Sequence, residues 1–169
     1  MMTEGLRRIL LVEDSDNDIE ITLEALSEYH LANRVDVVRD GAEALDYIFA
    51  RGAYANRNSG APVVVLLDVK LPKLNGIEVL KEIRADACYA RLPVVMLTSS
   101  RQEPDLRRSY ELGCNAYVVK PVDFAKFTEA LKVVGCFWAI INEPPLIARF
   151  QFPASLLCSR VESISEACR

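Results

Sequence analysis

The chain has 169 residues, 51% hydrophobic and 26% charged, with a formal net charge of -4. That length suits one domain with a sizeable core and a short appendage, and the composition is not that of a disordered chain. The acidic balance gives no electrostatic reason to expect nucleic acid or an anionic membrane as a partner.

The opening "MMTEGLRRILLVED" sets two arginines before the apolar run "ILLV", which is too short for the core of a signal peptide. Nowhere is there a stretch long enough to span a membrane, so a cytoplasmic location is expected. The run itself predicts a first strand that ends in Glu13-Asp14. "DIEITLEALSEY" then places Ile19, Thr22, Leu23 and Leu26 at helical spacing. His30, the only histidine, follows this helix and is expected to be a capping or surface residue. "RVDVVRD" alternates like a strand, and Gly41 to Phe49 carries Leu45, Ile48 and Phe49 on one helical face. "RGAYANRNSGAP" reads as a long polar loop. After it come the strand "VVVLLD", a helix from Gly76 to about Ala85, and the strand "PVVMLTS". A helix from about Glu103 to Leu112, the strand "NAYVVK" and a helix from Asp123 to about Ile141 complete the pattern.

Five strand–helix pairs imply an α/β fold, a doubly wound five-stranded parallel sheet with helices on both faces. In such sheets ligands bind beyond the carboxyl ends of the strands, near the switch in strand order. Strand one delivers Glu13 and Asp14 there, strand three Asp68, strand four Thr98 and Ser99, and strand five Lys120 and Pro121. Cys88, Cys114, Cys136, Cys158 and Cys168 form no CxxC pair, so neither a zinc site nor a disulfide framework is expected. Neither a GxSxG elbow nor a GxxxxGK[ST] phosphate loop is present, which removes the serine-hydrolase and nucleotide-triphosphatase readings.

Acidic oxygen donors without His or Cys suit a hard cation, Mg²⁺ before others. A carboxylate beside Mg²⁺ can be the nucleophile of phosphoryl transfer. Lys120 would add a point charge, the Thr98 hydroxyl a hydrogen-bond donor, and small Ser99 room for a phosphodonor. Each residue alone has a plainer role: a helix N-cap for Asp68, a turn for Thr98, a solvated charge for Lys120. Five groups at the tips of four strands, in the order the chemistry needs, favour the site.

Residues 7 to about 141 resemble the receiver domain of two-component response regulators. The resemblance is carried by "LLVED", "LLDVKLPKLNG", "VVMLTSS" and "AYVVKPVD". It implies the (βα)5 flavodoxin-like fold with strand order 2-1-3-4-5, and phosphorylation of Asp68 by a sensor histidine kinase. It further implies Mg²⁺ on Asp14, Asp68 and the backbone carbonyl of Lys70 with Glu13 alongside, and a switch pair of Thr98 and Tyr117. The Lys120-Pro121 bond is expected to be cis. The loop at 51–62 and the ending "CFWAIINEPP" resemble the small regulators of bacterial and cyanobacterial phytochrome kinases.

Two rivals remain: an Mg²⁺-dependent aspartate-nucleophile phosphatase, and a receiver-like adaptor that acts without phosphorylation. The phosphatases place an acid two residues after the nucleophile, where this chain has Lys70. The adaptors commonly lose part of the acidic cluster, all of which is kept here. The division expected is a receiver domain over 1–142 and an interaction arm over 143–169, too short for an output domain. One apolar stripe of the last helix runs Phe127, Leu131, Val134, Trp138 and a second Ala130, Val133, Phe137, Ile141. The sheet covers one stripe only. Val133, Phe137 and Ile141, together with Leu146, Phe150 and Phe152 of the arm, are therefore expected to form a homodimer interface.

Overall fold

The apolar runs form five parallel strands, β1 (Ile9–Val12), β2 (Val35–Val38), β3 (Val64–Asp68), β4 (Val94–Thr98) and β5 (Ala116–Val119). Their spatial order is β2-β1-β3-β4-β5, as the resemblance implies. The helices are α1 (Asp16–Ser27), α2 (Gly41–Ile48), α3 (Gly76–Ala85), α4 (Glu103–Glu111) and α5 (Phe124–Cys136). This computed structural model describes residues 8–27, 30–57, 59–99, 102–120 and 124–142. The segment 143–169, with Leu146, Phe150 and Phe152, lies outside the described residues, as does Pro121 with its peptide bond. Among the described residues no helix is long and apolar enough to cross a membrane.

Every residue of β1, β3 and β4 is buried, whereas the edge strands β2 and β5 are mostly half-buried. Inner parallel strands need apolar side chains on both faces, which is why these runs are continuous. The period of two then sorts them. Leu10, Val12, Val65, Leu67, Val94 and Met96 join Ala44 and Ile48 of α2 and Val79, Leu80 and Ile83 of α3. Ile9, Leu11, Val64, Leu66, Val95 and Leu97 join Leu26 of α1 and Phe127 and Leu131 of α5.

Side chains cap the starts of α2 and α3. Asp40 accepts from the backbone N–H of Glu43 at 2.8 Å ahead of α2, and Asn75 and Glu78 form a reciprocal capping box on α3. Gly76 is required at that start, since a Cβ there would overlap the carbonyl oxygen of Asp68. Three helices end in the same paired-carbonyl turn. The N–H groups of His30 and Leu31 bond to Ser27 and Leu26, those of Ala50 and Arg51 to Tyr47 and Asp46, and those of Gly113 and Cys114 to Tyr110 and Ser109. The first residue of each pair is left-handed, at φ 56° for His30, 51° for Ala50 and 85° for Gly113. His30 is thus a helix cap, as expected.

Two elements differ from the expectation. The loop at 51–62 contains a 3-10 turn, Gly52–Tyr54, and is pinned by Arg57. The Arg57 guanidinium stacks 4.1 Å from the Tyr47 ring centroid and donates to Ser59 Oγ at 3.0 Å, to the Tyr47 carbonyl at 2.9 Å and to the Gly60 carbonyl. The Tyr47 hydroxyl in turn donates to Asp36, which also pairs bidentately with Arg8. The last helix changes to a π turn over Phe137–Ile141. Phe127 and Leu131 are buried and Val134 and Trp138 pack on the same layer, while Val133, Phe137 and Ile141 of the second stripe are 61%, 44% and 65% exposed.

Alanine pays a steric penalty at positive φ that glycine avoids, so Ala50→Gly should stabilise the fold by about 1 kcal/mol. Chemical denaturation of the two proteins measures this as a higher midpoint with unchanged slope.

Candidate functional site

Chain order along the sheet reverses between β1 and β3, the switch point beyond whose strand ends α/β sheets bind their ligands. Val12 is in register with Leu67, so the residues that follow, Glu13 and Asp68, emerge side by side. Asp68 is in register with Leu97, and Thr98 with Val119, which brings Thr98 and Lys120 to the same mouth. Carboxylate oxygens of Glu13, Asp14 and Asp68 all lie within 4.8 Å of one another. Glu13 and Asp68 are buried, and Asp14 is exposed.

Burial opposes the charge of both buried acids. It pushes the Asp68 carboxyl above the ordinary range although Lys120 and the N–H groups of Lys70 and Val69 favour the anion. Glu13 rises for the same first reason, against hydrogen bonding and attraction from Lys120. Lys120 is no solvated surface charge, its side chain being only 11% exposed. Its Nζ lies 2.5 Å from Glu13 Oε2, 2.7 Å from Asp18 Oδ2 and 3.5 Å from Asp68 Oδ2. Burial works against the ammonium, yet the bonds to Asp18 and Glu13 hold its pKa above the usual lysine range.

Asp18 is the group that sequence reasoning missed. In the first turn of α1 it looks like one more acid at a helix start, and only its contact with a residue 102 positions away reveals it. Thr98 is fully buried. Tyr117 is opposite Met96 on the same face, half-buried against that apolar layer; burial raises its hydroxyl pKa, helped by Asp105 and Asp68. Ser99 and Lys70 are exposed at the rim.

Asp68 Oδ1 is buried and has no hydrogen-bond partner among the described residues. A buried anionic oxygen in that state costs free energy until a cation or donor meets it. With Glu13 and Asp14 beside it, the oxygen-only donor set fits a hard divalent cation.

Residues 9–132 match the family model of the response regulator receiver domain. The chain belongs to that family. This receiver is 38% identical over 130 residues to response regulator Rcp1 of Synechocystis sp., an overlap of 77% of this chain and 87% of Rcp1. The crystal structure of the phosphorylated cyanobacterial phytochrome response regulator RcpA is 39% identical, with a TM-score of 0.76 over 82% of this chain and 98% of that chain. The bacteriophytochrome response regulator RtBRR is 49% identical over 95% of this chain and 96% of its own length, with a TM-score of 0.67.

Because Lys120 keeps its two shorter ion pairs without Asp68, replacing that carboxylate removes a buried anion and strands no cation. Asp68→Asn should therefore stabilise the receiver by about 1–3 kcal/mol in a chelator at neutral pH. A carboxyl whose folded pKa lies above its unfolded value destabilises the fold above both values, and the cost fades as pH falls through the folded one. The advantage of the variant should accordingly shrink on acidification, which thermal melts across a pH series measure.

Proposed function

We propose that Asp68 accepts a phosphoryl group from the histidine of a sensor kinase and that the receiver then signals through protein contacts. The observation that carries this reading is the buried, unpartnered Asp68 Oδ1, ringed by Glu13 and Asp14 on one side and Lys120 on the other. In transfer, an Asp68 carboxylate oxygen attacks phosphorus and the P–N bond breaks, its electron pair returning to the imidazole nitrogen. Glu13, Asp14, Asp68 and the main-chain carbonyl of Lys70 would hold Mg²⁺, which when bound neutralises charge on the phosphoryl oxygens. A solved form of Rcp1, 36% identical with a TM-score of 0.75, is Mn²⁺-bound.

Lys120 attracts the phosphoryl oxygens, exposed Ser99 leaves the entrance clear, and the Thr98 hydroxyl donates to one phosphoryl oxygen. Thr98 moving toward that oxygen gives the Tyr117 ring space to turn inward. One hydrogen bond to a charged acceptor supplies about 1.5–3 kcal/mol, whereas full inversion of two populations takes about 5.5 kcal/mol. Lys120 and the surrounding loops must supply the difference. In this reading the protein turns over no separate substrate; it takes up its own phosphoryl group and hydrolyses it slowly, in the cytoplasm. The kinship with RcpA and RtBRR supports a phytochrome-type kinase as donor.

Incubation with a small phosphodonor and Mg²⁺, followed by intact-mass measurement, should add one phosphoryl group to the wild type and none to Asp68→Asn. Phosphate release with no phosphorylated protein accumulating, or a phosphorylated Asp68→Asn, defeats the proposal.

The same reading assigns residues 1–142 to the receiver and 143–169 to an interaction arm, with Val133, Phe137 and Ile141 facing a second copy. Support comes from the exposure of these three apolar side chains along one helix. Light scattering at micromolar concentration should return a dimer mass, and Phe137→Asp should shift it toward the monomer. A monomeric wild type removes the dimer from the proposal.

A further inference from the structure

We propose that Asp18 is a positioning residue for Lys120: it holds the ammonium back from Asp68 at rest and yields it to the arriving phosphoryl group. The inference rests on Asp68 as the acceptor and names a group outside the acceptor cluster that tunes it. A lysine ammonium has three N–H donors. Glu13 and Asp18 take two of them at 2.5 and 2.7 Å, while Asp68 stands at 3.5 Å, the outer limit of a hydrogen bond. The ammonium is thus drawn toward the carboxylates that do not react.

Of those two, Asp18 is the one that can let go. Its side chain is 29% exposed, so water can replace Lys120 on it, whereas Glu13 is 3% exposed and would be left as an unpaired buried anion. Asp18 is also a fixed point. Its N–H reaches Ser15 Oγ at 3.4 Å, its carbonyl accepts from Thr22 Oγ1 at 2.7 Å, and Asn17 Nδ2 lies 3.4 Å from its Oδ1. The backbone that carries the carboxylate, in the first turn of α1, therefore cannot follow Lys120 inward. A phosphoryl group on Asp68 brings about two negative charges and outcompetes the single charge of Asp18. Until then Asp18 offsets part of the positive field that an anionic phosphodonor meets.

The test measures Mg²⁺-dependent binding of beryllofluoride, a phosphoryl mimic, and phosphorylation by acetyl phosphate followed for hours so that slow variants are still read. Asp18→Asn should bind the mimic more tightly and take up phosphate faster, each by roughly three- to tenfold, the size expected for removing one partly solvated charge nearby. Asp18→Glu, which keeps the charge, should return close to the wild type. In a Lys120→Gln background the gain from Asp18→Asn should vanish, because Asp18 acts through Lys120. An Asp18→Asn protein that melts normally but is unchanged or slower overturns the inference. So does an equal gain in the Lys120→Gln background, which would mean direct repulsion of the anion. A wild type that takes up neither mimic nor phosphate overturns the acceptor reading as well, so the two failures are told apart.

Discussion

One ammonium shared among three carboxylates governs this molecule. Glu13 and Asp68 sit where burial disfavours their charge, and two anions so close would repel each other without a cation between them. Lys120 supplies it from a strand end 107 residues after Glu13 and 52 after Asp68. No local segment can make that contact. The central strands must be assembled, in order and in register, before the carboxylates are tolerable, so the chemistry and the folding of the sheet are one constraint.

The backbone beneath Asp68 is held as firmly as the charges above it. The N–H of Gly76 bonds to the Val69 carbonyl at 2.9 Å, which ties the first residue of α3 back to the end of β3. Lys73 reaches Asp40 at 2.5 Å, and the N–H of Gly41 meets the Pro72 carbonyl at 3.4 Å, so the same connection is also fastened to the start of α2. Under the proposed function this matters, because an acceptor on a loose loop would lose the orientation that in-line transfer demands. Here the connection after Asp68 is clamped at both ends, and the energetic cost of an unpartnered oxygen is carried by a rigid frame.

What could be read beforehand follows from the physics of each element. Val64 to Leu67 and Val94 to Leu97 are apolar without a break because both their faces are covered, and that continuity gave away the parallel sheet. Each polar group ending such a run has a plainer role alone, and their convergence on one sheet edge is what made Glu13, Asp14, Asp68, Thr98 and Lys120 legible together. Asp18 was not, because an acid in a first helical turn already has a reason to be there in the helix dipole. Ala50 carries no glycine signal for its left-handed turn. The pinning of 51–62 depends on Arg57 meeting Tyr47 ten residues earlier, a match that composition cannot express. A π turn has no sequence period of its own, so Phe137 to Ile141 read as ordinary helix.

That turn acts as a phase correction. In an α-helix a row of every fourth residue drifts around the axis, since four residues exceed one turn of 3.6. Phe127, Leu131, Gly135 and Ala139 form such a row and all are buried. Gly135 brings α5 so near α1 that a Cβ there would collide with Leu26. Past this crossing the wider π turn underwinds the chain, and Ala139 is steered back inward where α geometry would have carried it aside. The outer hydrophobic side chains inherit the slippage: Ile140 and Ile141, adjacent in the chain, both face outward. Inserting or deleting one residue near position 138 would rotate the residues from there to Asn142 by about a quarter turn, making this short segment the setscrew for which side chains of the helix end face outward.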